Sequence, residues 1–167
     1  MSRWVVYGMA LLVLLADQAS KAWVVRTYLY WPEDDLVLIP GFFSLSYNVN
    51  TGGAFGILPQ GTLLLALAAA IAAVAIVTYT IRAKMPLPAL LAVALALPLG
   101  GAIGNLVDRV HLHHVVDFLA VYAGPERRWQ FPIFNIADSA ICTGVGLLAF
   151  YYSRQPATSP KSVIVKE

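Results

Sequence analysis

Between Phe131 and Ser153 the chain reads FPIFNIADSAICTGVGLLAFYYS, 23 residues carrying a single charge, Asp138. A run that long and that apolar can cross the ~30 Å hydrocarbon core of a bilayer, and little else folds from it. A carboxylate in such a run is costly unless it faces a bundle interior or a wet cavity, so it marks a function. Asn135, three residues earlier, shares its helical face. The plainer alternative is a polar contact locked between helices, and the remaining polar residues decide between the two.

Three more runs have the same character. Trp4 to Ala16 is uncharged after Arg3 and resembles a signal-peptide core ending in small residues. Read onward to Val25 it is long enough to be retained as a span, interrupted by Asp17 and Lys21, which are i,i+4 neighbours able to pair. Residues 62–81 carry no charge and end at Arg82 and Lys84; residues 85–107 carry none either, with prolines at 86, 88 and 98. The expectation is an all-α integral membrane protein with four transmembrane helices, about 4–25, 62–81, 85–107 and 131–153. It forms one membrane-embedded domain over 1–167 with a flexible tail over 154–167. A composition of 59% hydrophobic and 12% charged residues, with mean hydropathy +0.72, agrees. The single Cys142 excludes an internal disulfide and reads as a small packing residue. No basic cluster interleaved with aromatics suggests nucleic acid.

Four spans place both termini on one side. Arg82 and Lys84 in a short loop, with the basic tail, assign that side to the cytoplasm. Two longer segments then face outward. In residues 30–60, Phe43, Leu45, Tyr47 and Val49 alternate with Ser44, Ser46, Asn48 and Asn50, a period-2 pattern suited to a strand with one wet face. This predicts a small β-cradle on the outer surface. Residues 108–130 are expected to form an outer loop.

Helical rise puts Asp17 ~20 Å along the first span, Asn105 ~30 Å along the third and Asp138 ~10 Å inside the fourth, all in the outer leaflet. Asp117, flanked by Val115, Val116, Phe118 and Leu119, is expected to dip back to the interface, so one outward-facing site can hold Asp117 and Asp138. Two carboxylates in a low-dielectric site share a proton. The ionised member can then take a proton from water while the other donates to a carbonyl oxygen.

Competing chemistry is poorly supported. Cys142 has no evident base, and His111, His113 and His114 lack a recognisable metal-ligand set, so interfacial solvation describes them better. No cofactor is implied. Gly100, Gly101 and Gly104 form a small-residue packing face. Asn105, Asp108 and Arg109 follow within a turn, either as a helix end with an Asp–Arg pair or as lipid or substrate contacts.

DQASK (17–21), NTGGAFGIL (50–58), GGAIGNLVDR (100–109), VVDF (115–118) and FPIFNIADS (131–139) occur in one order across the chain, and with them the sequence resembles the lipoprotein signal peptidase (type II signal peptidase) family of bacteria. The resemblance implies an aspartyl endopeptidase of the bacterial cytoplasmic (inner) membrane, cutting prolipoproteins just before the diacylglyceryl-modified cysteine. It implies a catalytic dyad of Asp117 and Asp138, a site shaped or polarised by Asn50, Gly101, Asn105, Arg109, Asn135 and Ala137, and structural support from Asp17, Lys21 and Asp108. It also implies four helices with an outer β-cradle and a mobile outer loop, and inhibition by globomycin-type cyclic peptides. Gly53 stands where the motif usually has Ala. A monomer is expected, because each polar residue has plausible partners within four helices. A proton-coupled transporter using Asp17 and Asp138 would be expected to show repeated halves and midplane polar breaks, and neither is evident. A non-catalytic anchor subunit would leave the polar cluster without purpose.

Overall fold

The computed structural model describes residues 1–30, 35–53 and 61–155. In chain order these form α1 (Arg3–Tyr30), β1 (Leu36–Ile39), β2 (Phe43–Asn50), α2 (Thr62–Arg82), α3 (Ala89–His111), β3 (Val115–Ala123), β4 (Trp129–Gln130) and α4 (Ile136–Ser153). All four helices are long and apolar enough to cross a membrane. The expected tail and residues 54–58 of the NTGGAFGIL motif fall largely or wholly outside the described residues.

Helix α3 is the axis of the bundle, packing on α1, α2 and α4. It is built for that place, since its buried face runs from Leu91 through Ala92, Leu95 and Ala96 to the small residues Gly100, Gly101 and Gly104. An added Cβ on Gly101 would collide with the Ala137 carbonyl of α4, and one on Gly104 would lie 2.6 Å from Asp17 Oδ2 of α1. Only glycine admits both neighbours at this depth. Below, Val6, Leu87, Leu91, Ala92, Leu95 and Ala96 close an apolar core. The N-terminal ammonium donates to Leu87 O, which seats the start of the chain beside the α2–α3 connection.

Three boundaries differ from expectation. Helix α3 starts at Ala89 rather than near 85, because Pro88 is extended and stands at its N-cap. Helix α4 starts at Ile136 rather than 131. Residues before it are held extended by Phe134, whose carbonyl accepts from the N–H groups of Phe118 and Leu119. Asp138 is thus in the first turn of α4 and not two turns inside it. Helix α1 runs on to Tyr30 rather than ending near 25.

The largest correction concerns 108–130, expected as a loop. Its first residues finish α3, and Val115–Ala123 is a strand in a four-stranded antiparallel sheet ordered β1-β2-β3-β4. Strand β3 is buried on both faces, which is why VVDFLAVYA is nearly continuous in apolar residues and shows no alternation. The cradle is therefore shared by the two segments. Register pairs Asn48 with Asp117 and Asn50 with Val115.

Strand β2 also turns its faces the other way round. Ser44 and Ser46 are buried while Tyr47 and Val49 are exposed. The polar face looks into the protein and the apolar face looks out, as suits a sheet lying against lipid.

Candidate active site

Sheet and bundle meet where β3 lies against the C-terminal end of α3 and the residues that lead into α4. Asp117 is 1% exposed on β3, and Asn50, at the end of β2, donates from Nδ2 to Asp117 Oδ2 (2.8 Å). Asn50 Oδ1 in turn accepts from Gly52 N (3.0 Å), so the amide cannot present its oxygen to the carboxylate. On the other side Asn135 Nδ2 donates to Asp117 Oδ1 (2.7 Å).

Asn135 is also the N-cap of α4, its Oδ1 accepting from Asp138 N (2.9 Å). This is the ordinary reason for Asn before a helix. Here it also fixes the amide, because a backbone N–H can only donate and the NH₂ must therefore point at Asp117. A third amide serves the second carboxylate: Asn105 Nδ2 donates to Asp138 Oδ1 (2.7 Å). Among the described residues Asp138 Oδ2 accepts no hydrogen bond.

Asp117, Asp138, Asn50, Asn105 and Arg109 line one cavity of about 350 Å³, whose apolar wall includes Phe131 and Ile141. Burial, opposed by the Asn50 hydrogen bond and reinforced by the Asp138 charge, pushes the Asp117 carboxyl up to about 6. Two carboxyl groups in one half-dry pocket, each met by an oriented amide, are equipped to divide one proton and activate water.

Arg109 reaches in from α3 on long contacts, Nη1 to Asn105 O (3.4 Å) and Nη2 to Gly52 O (3.3 Å), while its buried Nε has no partner among the described residues. Of the two readings left open for this turn, an Asp108–Arg109 pair is not found among the described residues. Asp108 instead joins Lys21 (2.9 Å) beneath the cavity, where Lys21 also meets Asp17 (2.8 Å). Asp17 is fully buried and accepts at Oδ1 from Ala137 N (2.9 Å), the residue before Asp138. Asp108 likewise accepts from Val116 N (3.2 Å), the residue before Asp117. Two ions of one sign and one of the other are tolerable at such burial only because almost every lone pair is met.

All eleven expected site residues thus fall within this region. Asp117, Asp138, Asn50, Asn105 and Arg109 line the cavity; Asn135, Ala137, Asp17, Lys21 and Asp108 tie its walls together, and Gly101 sets the α3–α4 approach. Sequence reasoning missed Gln18, whose Nε2 donates to Asp108 Oδ1 (2.9 Å) and Gly104 O (3.2 Å). The sign was its place between Asp17 and Lys21 in an otherwise apolar helix. It also missed Gly53, Ser139 and Cys142 as cavity lining. His111 is the exposed last residue of α3, His113 is exposed just beyond it at φ +63°, and His114 is half-buried. Among the described residues no group of three or more His, Cys, Asp or Glu side chains could hold a metal ion.

The family model described as Signal peptidase (SPase) II matches residues 9–154. A protein of Burkholderia ambifaria named lipoprotein signal peptidase is 40% identical over 145 residues, covering 86% of this chain and 84% of its own length. One of the same name from Symbiobacterium thermophilum is 43% identical over 140 residues, covering 84% and 88%. Among solved structures, a bacterial membrane enzyme determined in meso at 2.3 Å superposes with a TM-score of 0.73 at 29% identity, covering 95% of this chain and 91% of that one. A second, at 1.9 Å, gives a TM-score of 0.69 at 30% identity, covering 89% and 92%.

Proposed function

This chain belongs to the signal peptidase II family, and on that premise we propose that it is an aspartyl endopeptidase of the bacterial cytoplasmic membrane that cuts prolipoproteins just before the diacylglyceryl-modified cysteine. The observation that carries the chemistry is one cavity lined by Asp117 and Asp138, each receiving an amide N–H.

Asp117 is the base. Both its oxygens face amide donors, an arrangement that suits the ionised, acceptor-only form. It removes a proton from a water molecule as that water's oxygen bonds to the scissile carbonyl carbon. Asp138, carrying the shared proton, gives it to the carbonyl oxygen, and the tetrahedral diol forms with no covalent enzyme intermediate. The proton on Asp117 then passes to the amide nitrogen as the C–N bond breaks, while a hydroxyl proton of the diol returns to Asp138, which restores the resting pair. Asn105 keeps Asp138 aimed at the substrate, and Arg109, lightly tethered, is free to reach a substrate carbonyl.

The site faces outward and both termini lie in the cytoplasm. Supporting this are Arg82 and Lys84 beside the short α2–α3 connection, at the opposite end of the bundle from the dyad. A substrate held in the outer leaflet by its acyl chains presents its scissile bond at the depth of the cavity, with the chains against apolar helix faces. Globomycin-type cyclic peptides compete for the same cavity. The enzyme works as a monomeric single domain, since both carboxylates and their amides come from one chain.

The test is cleavage of a synthetic diacylglyceryl-modified prolipoprotein peptide by purified wild type, Asp117→Asn and Asp138→Asn, each shown to be folded in detergent. Wild type is expected to cut before the modified cysteine and both variants to be inert. Full activity in either folded variant would sink the two-aspartate mechanism.

A further inference from the structure

We propose that Lys21 is a positioning residue for the reaction, acting on Asp138 through the side-chain amide of Asn105 and holding the backbones beside both aspartates. This rests on the peptidase reading above. Lys21 is 4% exposed and stands outside the cavity lining, so it does not touch substrate.

Its ammonium has three protons and three acceptors, each on a path to the dyad. Nζ donates to Asn105 Oδ1 (3.0 Å), to Asp17 Oδ2 (2.8 Å) and to Asp108 Oδ2 (2.9 Å). Asp17 holds Ala137 N and Asp108 holds Val116 N, which are the residues immediately before Asp138 and Asp117. One cation on α1 thus gathers α3, α4 and β3.

The Asn105 arm goes further than scaffolding. An ammonium can only donate, so the amide atom facing it must be the oxygen, and the NH₂ is then obliged to face Asp138. Without that cation the remaining donor to Oδ1 is Asn135 Nδ2 at 3.2 Å, which also serves Asp117 and Val116 O. A donor divided three ways holds the amide weakly. The Asn105 side chain can then turn over, presenting an oxygen to a carboxylate oxygen and releasing Asp138 from its aim.

A double-mutant cycle on kcat tests this with wild type, Lys21→Gln, Asn105→Ala and the pair, using the lipidated peptide, with folding followed by thermal unfolding. Lys21→Gln is expected to lower kcat by roughly 10–100-fold, by analogy with the loss of a partner that orients a metal ligand. Its KM should stay within about twofold, because no substrate contact is lost. In the pair kcat should fall no further than in the worse single variant. Removing Lys21 alone leaves Asp17 and Asp108 without their cation and can unfold the bundle. Lys21→Gln/Asp108→Asn, which keeps the net charge of the cluster, is therefore measured beside it and should fold while remaining slow. Losses that multiply across the cycle, or wild-type kcat in either folded Lys21 variant, would overturn the proposal. Absence of cleavage by folded wild type would overturn the parent reading and this one together, whereas failure of the cycle alone leaves the parent intact.

Discussion

Near its start α3 packs Leu91, Ala92, Leu95 and Ala96 against Val6 and Leu87, whereas about 20 Å further along the same helix offers Asn105 to Lys21 and Asp138, and Asp108 to Lys21. One end is held by dispersion and shape, the other by directional bonds between groups that hydrocarbon would otherwise reject. In lipid the apolar end gains little from burial as such, because the membrane is as apolar as leucine. The polar end is where partners are hardest to replace. Stability and chemistry are therefore separable along α3.

Substitution can break that separation, and the largest effect belongs at the polar end. Gly104→Val would drive its side chain into Asp17 and is expected to abolish cleavage and most folded protein, read by activity and by yield of monodisperse protein; Gly146, with open space around it, should accept alanine with no loss. Next comes Leu95→Ala, which empties part of the apolar end and should cost less than the roughly 2–5 kcal/mol of the same change in water, because only the cavity and lost packing count in lipid, seen in thermal unfolding. Turnover per folded molecule should stay within about twofold, and a selective fall in kcat would show the two ends to be coupled.

Acid should act only at the polar end. With Asp117 pushed up to about 6, the proposed role as base predicts that cleavage is lost as pH falls through that value, by about tenfold per unit in the acid limb. Because the pair is coupled, the step belongs to both carboxyls. A rate that instead rises below pH 6 would exchange the roles of Asp117 and Asp138. The smallest effect is expected on the sheet surface, where Arg127 pairs with Asp35 (2.5 Å) and lies over the Tyr122 ring (4.3 Å). Arg127→Ala should cost about 1 kcal/mol and leave kcat unchanged, since the pair is partly open to solvent and lies away from the cavity.

The four spans were legible because charge-free runs of such length have few alternatives, and the Asp17–Lys21 pair because i,i+4 spacing is local. The motifs of the family also pointed to all eleven site residues. What could not be read was direction. Lys21 and Asn105 are 84 residues apart, and nothing in their local sequence says that one orients the other. Strand β3 was hidden because a strand covered on both faces loses its alternation. The faces of β2 were inverted because the alternation was interpreted with water as the outside solvent, whereas Tyr47 and Val49 are turned toward the medium. Asp138 was placed two turns inside a helix, and not in its first turn, because Phe131 and its followers continue an apolar run that Asn135 caps as a helix only at Ile136.

The hydrogen bond from Ala137 N to Asp17 ties the first helix of the chain to its last. During synthesis Asp17 enters the membrane 120 residues before its partner exists. Asp117 follows, still without the residue that completes the pair. If Asp117 and Asp138 act as the proposed pair, the chain has no cleaving site until its final helix is in place.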